Sequence, residues 1–563
     1  MNAAAPSFPR SLADTWAGLW RHARGRRDAL AGAMALLVGA ELLRLPVPWL
    51  AGEAVNVLQH KGAAGAAEAA GWVAWLFAAV LAGWACHGSG RVLERNVALH
   101  ARRSLTLGLM QRLLRAPLAW HRREHPLALA QRATQGAGAL TDFAESQYVY
   151  LQTAVRMLGP LVALSLVSPW VGVAACAGMA LLAVASLGFD RVLLRMSDHR
   201  NDAERHNGAT WGELIGNVVT LLALRLEACA LALADTRLAA VLRPLRRFIL
   251  INELKWGAVD VLGHLLWCGL VVLYVALAKP ADAIALGSVF MVYEYARSAE
   301  GSASALAANF SMLASQLSGW RALGPLLDAP GGEQPAVLAP TAWQRLQLRA
   351  VDLSYEHREQ PVLKQVELVL QRGRRYAVSG ASGAGKSALL ALLAGLEPAA
   401  TGRIECDGRA VDAAWLRREA TLVPAHPVVF EGSVRENLFA TGQDEAALRA
   451  ALAVAGLDGH VAALPAGLDS VVSVGTARWS SGQQQRLGLA RGTLAASGAS
   501  LVLLDEPTSH LDKATAHAVL RRLLEAHADA CVVVTLHDAE LASHFDELIV
   551  LADGGITETP QAA

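Results

Sequence analysis

Six long apolar segments in the first half of the chain restrict what it can fold into. They lie near residues 28–50, 70–90, 147–167, 169–191, 258–278 and 284–305. Each approaches or exceeds the ~20 mostly apolar residues that a helix needs to cross a bilayer. Over the whole chain 54% of residues are apolar, and this excess lies in the first half. The last 220 residues have the composition of an ordinary globular domain. The sequence therefore predicts a six-helix all-α transmembrane domain, over residues 28–318, followed by a soluble domain.

The distribution of arginine predicts how this chain is oriented in a lipid bilayer. The long connections 91–146 and 192–257 are rich in arginine, whereas the short connections carry only Lys61 and Lys279. Because basic residues accumulate on the cytoplasmic side, we expect both long connections and the soluble domain in the cytoplasm. Residues 1–27 mix tryptophan with arginine, which predicts a helix lying at the membrane interface. Alanine- and arginine-rich usage suggests a multi-pass protein of a bacterial inner membrane.

Ionisable residues inside the apolar segments allow two interpretations. They include the pairs Glu41 with Arg44 and Asp260 with His264, and also His87, Glu294, Arg297 and Glu300. Charged groups are costly in a membrane and usually face the protein interior or a wet cavity. They are therefore either paired charges that lock helices together or part of a substrate path. A metal or haem site at His87 or His264 lacks a second ligand in the sequence, and the six cysteines have no metal-binding or redox spacing.

The soluble half contains a phosphate-binding motif. Proline, glycine and alanine mark residues 319–344 as a linker, and beyond it the apolar strand "RYAVSG" leads through "GASGAGKS" into a helix. Strand, glycine-rich loop and helix in this order are typical of a P-loop, whose backbone N–H groups bind phosphate oxygens. We expect Lys386 to reach the β- and γ-phosphates and Ser387 to bind Mg²⁺. The other predicted phosphate-binding residues are Gly380, Ala381, Ser382, Gly383, Ala384 and Gly385.

Two later strands end in residues suited to phosphoryl transfer. The apolar start of "LVLLDEP" predicts a buried parallel strand, with Asp505 and Glu506 at its end. The stretch "CVVVTLHD" predicts another strand, which leads to His537. Asp505 is placed to hold Mg²⁺, and Glu506 is placed to orient or deprotonate the attacking water. His537 is expected to contact the γ-phosphate. The net charge of +1 gives no support for a nucleic-acid partner.

The order GASGAGKS, SSGQQQR, LLDEP and a strand ending in histidine resembles the ATP-binding cassette (ABC) superfamily over about residues 345–555. With the preceding apolar segments, the whole chain resembles an exporter-type half-transporter with its nucleotide-binding domain at 345–558. The resemblance implies ATP and Mg²⁺ as cofactors and Tyr355 as the aromatic residue that stacks on adenine. It also implies that Ser480, Gly482 and Gln483 close over ATP bound to a second half-transporter chain.

Four positions depart from the family pattern. Ala425 stands where the family usually has glutamine. In the family's signature motif, which reads WSSGQ here at residues 479–483, Trp479 and Ser481 replace the usual leucine and glycine. Val474 stands where an acidic residue is often found. An altered signature beside an intact hydrolytic set resembles one half of an asymmetric heterodimer, although a homodimer remains open. We expect slow or weakly coupled hydrolysis in either case.

The leading functional hypothesis is ATP-driven export of a lipophilic or amphipathic substrate through a lipid bilayer. Lipids, small molecules and peptides all fit an apolar cavity with a few paired charges. The alternative is a membrane-bound ABC ATPase that acts as a regulatory switch, or as a weakly hydrolysing half of a heterodimer. A soluble cassette acting on ribosomes or DNA is contradicted by the six apolar segments.

Overall fold

The computed structural model describes residues 8–123, 126–277, 284–331, 343–355, 360–440, 442–472 and 479–558. The chain divides into two compact units. The first comprises Met1–Arg112 and Pro126–Asp328, and the second comprises Leu113–His125 and Ala329–Ala563. The second unit therefore includes a short internal segment as well as the C-terminal part of the chain.

The first unit is built from α-helices wherever its residues are described. The helices up to residue 328 are α1 (Phe8–His22), α2 (Arg27–Arg44), α3 (Val47–Lys61), α4 (Ala66–Arg115), α5 (Leu118–Arg123), α6 (Pro126–Glu145), α7 (Gln147–Val167), α8 (Pro169–Gly216), α9 (Val218–Ala223), α10 (Glu227–Leu277), α11 (Leu286–Arg321) and α12 (Gly324–Leu327). Of these, α5 lies in the segment that belongs to the second unit. The long predicted connections are therefore largely helical.

Four helical stretches of the described chain are long and apolar enough to cross a membrane: Arg27–Arg115, Ala128–Val167, Pro169–Asp190 and Glu227–Leu277. The predicted count of six helices is not confirmed. The first two predicted segments fall within the single stretch Arg27–Arg115, where only short breaks separate α2, α3 and α4. The sixth predicted segment lies in α11, where three charged residues lower the mean hydropathy: Glu294, Arg297 and Glu300.

The N-terminal helix α1 packs against other helices of its unit. Leu19 is fully buried, and the Trp16 ring makes an edge-on contact with Phe143 of α6, with 5.5 Å between ring centroids. Gly18 faces Trp320 of α11 so closely that a Cβ atom would lie 2.3 Å from the indole ring. Trp20 is exposed on another part of the helix. One face of α1 is therefore held by the bundle.

Two ion pairs, each with a buried carboxylate, connect helices of the first unit. The carboxylate of Glu41 is buried, and it accepts hydrogen bonds from Arg156 Nε at 2.9 Å and Gln152 Nε2 at 3.0 Å, both on α7. Lys255 of α10 pairs with Asp190 of α8 at 2.5 Å. The contacts of Glu41 with α7 support the interpretation that its charge locks helices together. Arg44 Nη1, on the same helix as Glu41, also lies 3.3 Å from Glu41 Oε1.

The other predicted pair behaves differently. Asp260 and His264 lie 3.6 Å apart on the same helix, α10, and both side chains are exposed. Both residues lie on one helix, so the contact between them does not itself join two helices. Large apolar side chains are exposed elsewhere on α4, α7 and α8, among them Trp75, Trp84, Leu166 and Trp170. Such a surface is typical of helices that face lipid.

The second unit is an α/β domain. Its further elements are β1 (Arg345–Leu353), β2 (Leu363–Gln371), β3 (Arg375–Ser379), α13 (Lys386–Leu393), β4 (Thr401–Cys406), β5 (Arg409–Val411), α14 (Ala413–Glu419), β6 (Ala420–Val423), β7 (Gly432–Ser433), α15 (Val434–Asn437), α16 (Glu445–Val454), α17 (Asp458–Ala462), β8 (Val471–Val472), α18 (Ser481–Ala495), β9 (Leu501–Leu504), α19 (Lys513–Ala526), β10 (Cys531–Thr535), β11 (Glu547–Ala552) and β12 (Gly555–Glu558).

A six-stranded sheet forms the centre of this domain, in the order β12-β11-β3-β10-β9-β6. Its strands are parallel except for β12, which pairs antiparallel with β11. A second sheet, β2-β1-β4-β5, is antiparallel, and β7 pairs with β8. Alternate residues of β9 enter different cores because successive side chains of a strand point to opposite faces. Leu501 and Leu503 pack with α13, whereas Val502 and Leu504 pack with α18 and α19.

Parts of the predicted domain plan lie outside the described residues. These include the middle of the predicted linker, 332–342, and the predicted departure at Val474. The described start of that linker is helical, since α11 continues to Arg321 and α12 follows it. The parallel order of β3, β10 and β9 places their carboxyl ends along one edge of the sheet. That edge carries the predicted catalytic residues.

Candidate nucleotide-binding site

The predicted P-loop connects the end of β3 to the start of α13. Gly385 immediately precedes the helix with a φ of +106°, a left-handed conformation that favours glycine. Lys386 is the first residue of α13, and its buried Nζ donates hydrogen bonds to the carbonyl oxygens of Gly380 at 2.9 Å and Ala381 at 3.2 Å. The loop therefore curls around the lysine. A helix N-terminus with unpaired N–H groups at this position is suited to bind phosphate.

Thr535 connects the two acidic residues that follow β9. Its fully buried hydroxyl donates to Asp505 Oδ1 at 2.7 Å and accepts the backbone N–H of Glu506 at 2.7 Å. The contact follows from strand register, because β9 and β10 pair in parallel with Leu504 opposite Val534. Glu506 itself has a φ of +46°, a strained conformation for a residue with a side chain. Sequence reasoning missed Thr535, although a polar residue ending an otherwise apolar strand was a usable signal.

The structure brings Glu506 and His537 into direct contact. His537 Nε2 lies 2.6 Å from Glu506 Oε1, and both groups retain contact with solvent. These residues follow adjacent strands, so their meeting at one sheet edge agrees with the sequence-based expectation of a shared site. A carboxylate oriented by an imidazole can position a water molecule and accept its proton. The assignment of these two residues as catalytic stays a prediction.

The signature residues form the start of α18. Ser480 is the N-cap: its Oγ accepts the N–H of Gln483 at 3.2 Å, and Gln483 Oε1 accepts the N–H of Ser480 at 2.9 Å. This reciprocal pair is a capping box, which stabilises a helix start. Gly482 packs so closely that a Cβ atom would lie 2.8 Å from the carbonyl oxygen of His510. Ser480 is exposed, whereas Trp479 is buried beside the ring of His460.

Gln485 is a further residue of this site that sequence reasoning did not identify. It is buried, and its Nε2 donates to the carbonyl oxygen of Glu506 at 2.8 Å. Its Oε1 accepts the N–H of His510 at 3.1 Å. One side chain of the signature helix thus holds the backbone on both sides of the segment after β9. A glutamine on the buried face of an amphipathic helix was the available signal.

The loop after β6 carries the most pronounced departure from the family pattern. Ala425 offers no polar side chain there, and the neighbouring His426 lies in edge-on contact with His510, with 5.7 Å between ring centroids. Both histidines are exposed. The contact joins the loop after β6 to the loop after β9. His426 is thereby placed beside the segment that carries Glu506.

Tyr355, the predicted adenine-stacking residue, follows β1 and is half-buried. The guanidinium carbon of Arg122 lies 4.6 Å from the centroid of its ring. Arg122 Nη1 also lies 2.6 Å from Glu397 Oε1, and the carboxylate of Glu397 is buried. Burial raises the pKa of Glu397, and the charge of Arg122 opposes that shift. All three residues belong to the second unit, and sequence reasoning missed both Arg122 and Glu397.

The oxygen donors of the site suit a magnesium ion. Mg²⁺ prefers hard oxygen ligands and usually takes one or two of them from the protein, with phosphates and water completing its octahedron. The hydroxyl of Ser387 and the carboxylate of Asp505 are donors of this kind. Across the described residues no group of three or more His, Cys, Asp and Glu side chains could hold a metal ion by itself.

A P-loop domain joined to a set of apolar helices defines a membrane protein with an attached nucleotide-binding domain. Residues 363–509 match the family described as ABC transporter, and residues 30–296 match the ABC transporter transmembrane region. The chain belongs to the ABC transporter family and carries both parts of a fused, exporter-type half-transporter.

Two of the relatives described here resemble the chain over most of its length, and a third resembles less than half of it. It is 30% identical over 513 residues to the mycobactin import ATP-binding/permease protein IrtB of Mycolicibacterium smegmatis, covering 86% of this chain and 85% of that protein. IrtB of Mycobacterium tuberculosis is 29% identical over 523 residues, with the same coverage of 86% and 85%. The ATP-dependent lipid A-core flippase of Xanthomonas oryzae pv. oryzae is 35% identical over 241 residues, covering 41% of this chain and 40% of the flippase.

Among solved structures, a bacterial Atm1-family ABC exporter with ATP bound has the same fold. It superposes with a TM-score of 0.80 at 20% sequence identity, and the match covers 95% of each chain. At this level of identity the likeness concerns the fold and not the substrate.

Proposed function

We propose that this chain is one half of a dimeric ABC transporter that uses ATP to export a lipophilic or amphipathic substrate. The observation that carries the proposal is the contact of 2.6 Å between Glu506 and His537, on the sheet edge that also bears the P-loop. Hydrolysis requires a group that orients water beside bound phosphates, and this pair supplies one. The regulatory alternative finds no support in the relatives, whose names describe import and flipping.

Each predicted site residue has a role in this proposal. Residues 380–387 hold the phosphates, with Lys386 neutralising their charge, and Tyr355 stacks on adenine. Ser387 and Asp505 would hold Mg²⁺, which would supply positive charge beside the phosphates. Glu506 takes the proton of the attacking water. His537 contacts the γ-phosphate and also keeps the carboxylate of Glu506 oriented. The hydrogen bond from Thr535 to Asp505 supports this arrangement, since it positions the carboxylate at the end of β9.

A second half-transporter completes the ATP site. Ser480, Gly482 and Gln483 stand at the N-terminus of a 15-residue helix, α18, where an anion is favoured. The exposed hydroxyl of Ser480 is available to a phosphate held by another chain. Either a second copy of this chain or a different half-transporter fits this surface. The altered residues Ala425 and Ser481 favour slow hydrolysis in both arrangements.

The membrane part of the proposal goes beyond the four apolar stretches described above. We propose six crossings within residues 28–318, an interfacial helix over 1–27, and a cytoplasmic nucleotide-binding domain over 345–558 that follows a linker at 319–344. A bacterial inner membrane is the proposed location. The substrate belongs to the small molecules, lipids or peptides that an apolar helical bundle accepts, and the relatives named for mycobactin and lipid A-core are consistent with that range.

Reconstitution of the full chain in liposomes tests the proposal. We expect ATP-dependent movement of an amphipathic probe, such as a phospholipid or hydrophobic dye with a fluorescent label, in wild type and its loss in Glu506→Gln. The matched control is Glu540→Gln, an exposed carboxylate that pairs only with Lys513 among the contacts described. Hydrolysis that depends on Glu506 without movement of any probe, across a panel of lipid, dye and peptide, would favour the regulatory alternative. Equal hydrolysis in wild type and Glu506→Gln would remove the proposed role of Glu506.

A further inference from the structure

The short helix α5 places a side chain over the ring of Tyr355, the predicted adenine-stacking residue. We call the free face of this ring the adenine platform. Arg122 lies over the ring of Tyr355, with 4.6 Å between its guanidinium carbon and the ring centroid. This distance is within the ~6 Å over which a cation is attracted to an aromatic face. The ring is also half-buried and packs against the core formed by β1, β2 and α13. The area beneath Arg122 is therefore a substantial part of the surface that the ring can offer to a ligand.

A second contact holds Arg122 in this place. Its Nη1 lies 2.6 Å from Oε1 of Glu397, a carboxylate that is 5% exposed. A buried carboxylate is costly unless it is paired, and removing its partner leaves an uncompensated charge. Glu397 follows α13, the helix that begins at Lys386. Arg122 thus bridges Tyr355, which follows β1, and Glu397, which follows the C-terminal end of α13.

A guanidinium and an adenine ring cannot occupy the same aromatic face. Both are flat groups that stack at van der Waals distance, and a base inserted between Tyr355 and Arg122 would need roughly twice the spacing of a single stack. Adenine binding at Tyr355 therefore requires Arg122 to move away from the ring. The anchor at Glu397 opposes that movement.

We propose that Arg122 limits the nucleotide affinity of this chain, because it covers the adenine platform of Tyr355 and competes with the base for that face. The inference rests on the proposed function, because it takes Tyr355 as the adenine-stacking residue. Arg122 lowers the affinity of the site for a nucleoside triphosphate without affecting the P-loop itself. A phosphate chain that carries no base is therefore not subject to this competition.

The test compares a nucleotide with its phosphate chain alone. Equilibrium binding of the non-hydrolysable analogue AMP-PNP and of tripolyphosphate, both with Mg²⁺, is measured on the full chain in lipid nanodiscs. A cation–π contact at a solvent-accessible site contributes about 0.5–1 kcal/mol, so we expect Arg122→Ala to lower the Kd for AMP-PNP about two- to fivefold. The Kd for tripolyphosphate is expected not to fall. Arg122→Lys, which keeps the charge but loses the planar stack, is expected to lie between wild type and Arg122→Ala.

Two further variants complete the experiment. Glu397→Gln keeps the size of the side chain but releases the anchor, and we expect it to shift the Kd for AMP-PNP in the same direction by a smaller factor. Arg449→Ala is the matched control, because it removes another exposed arginine that pairs with a carboxylate, Glu445, in the same unit. It is expected to leave both dissociation constants unchanged.

The outcomes separate this inference from the function on which it rests. Unchanged or weaker binding of AMP-PNP by Arg122→Ala, an equal gain with tripolyphosphate, or no shift in Glu397→Gln would each overturn it. If binding by wild type is lost in Lys386→Ala while Arg122→Ala has no effect, only the inference about Arg122 fails. If wild type binds neither ligand, or binds them independently of Lys386, the proposed function fails first.

Discussion

Thr535 donates its hydroxyl to the carboxylate of Asp505 at a distance of 2.7 Å, across two neighbouring parallel strands. The same hydroxyl accepts the N–H of Glu506, so one buried atom sets both acidic residues at the edge of the sheet. The carboxylate of Asp505 and the backbone of Glu506 are therefore both held by the protein itself. This preorganisation is what a phosphoryl-transfer site requires, since the protein contributes mainly position and charge.

Replacement of Thr535 by valine tests that arrangement. The change keeps the shape of the side chain but leaves the N–H of Glu506 without its partner, at a cost of about 1–3 kcal/mol. If the lost hydrogen bond destabilises the transition state by that amount, we expect ATP hydrolysis to fall about 10- to 100-fold. Thr535→Ser retains the hydroxyl and is expected to keep most of the activity. Equal rates in Thr535→Val and wild type would show that the two hydrogen bonds do not matter for hydrolysis.

The contact between His537 and Glu506 predicts that the two residues act as a unit. We expect His537→Ala to lower kcat by about 10²-fold or more, within the range for positioned proton-transfer groups. The double variant Glu506→Gln/His537→Ala is expected to lose little more than Glu506→Gln alone, because residues that act together are not additive. His517→Ala, in the same unit, serves as the control. Additive losses in the double variant would contradict a shared role.

Gln485 is predicted to matter more than the glutamine beside it. Gln485→Ala removes the bonds to the carbonyl oxygen of Glu506 and the N–H of His510, whereas the exposed Gln484 bonds only the carbonyl oxygen of Trp479 among the contacts described. We expect Gln485→Ala to lower the free energy of unfolding by about 1–3 kcal/mol and to reduce hydrolysis. Gln484→Ala is expected to change each by much less. Thermal unfolding and ATPase rates on the same preparations decide the matter.

Ala425 offers a test by gain of function. Introducing Ala425→Gln supplies an amide beside the segment that carries Glu506, and we expect the hydrolysis rate to rise severalfold. Ala425→Leu has a similar volume without polar atoms and is expected to give no increase. A rate that is unchanged or lower in Ala425→Gln would mean that the missing amide does not limit hydrolysis. His426→Ala, measured in parallel, shows whether the contact with His510 supplies part of the missing function.

Asp352 predicts a specific dependence of stability on pH. The hydroxyl of Thr401 donates to its carboxylate at 2.5 Å, and this bond, with the N–H of Gln365, lowers the pKa of Asp352. A carboxyl whose pKa is lowered in the folded state stabilises the fold when the pH is above its ordinary pKa of 3.8. This stabilisation is lost as the pH falls through the lower pKa of the folded state. We expect the melting temperatures of wild type and Asp352→Asn to differ by a constant amount above about pH 5 and to converge in more acidic buffer. A difference independent of pH would contradict this assignment.

Elements whose signals are local could be predicted from the amino-acid sequence. The P-loop with Lys386, the strand before Asp505 and the strand before His537 were all predicted from short motifs and apolar runs, because each is encoded by neighbouring residues. The structure has a strand or helix at each of these places. The family was recognised for the same reason, from the order of those motifs.

Contacts between residues that are far apart in the chain could not be predicted, because they depend on how the helices and strands pack. Arg122 meets Tyr355 and Glu397 across more than two hundred residues, and Glu41 meets Arg156 across more than one hundred. No periodicity or motif links such partners, because the side chains come together only after helices and strands have packed. The apolar segments show the same limit. Composition located them, but the polar residues of α11 and the short breaks between α2, α3 and α4 determined how many stand out as separate spans.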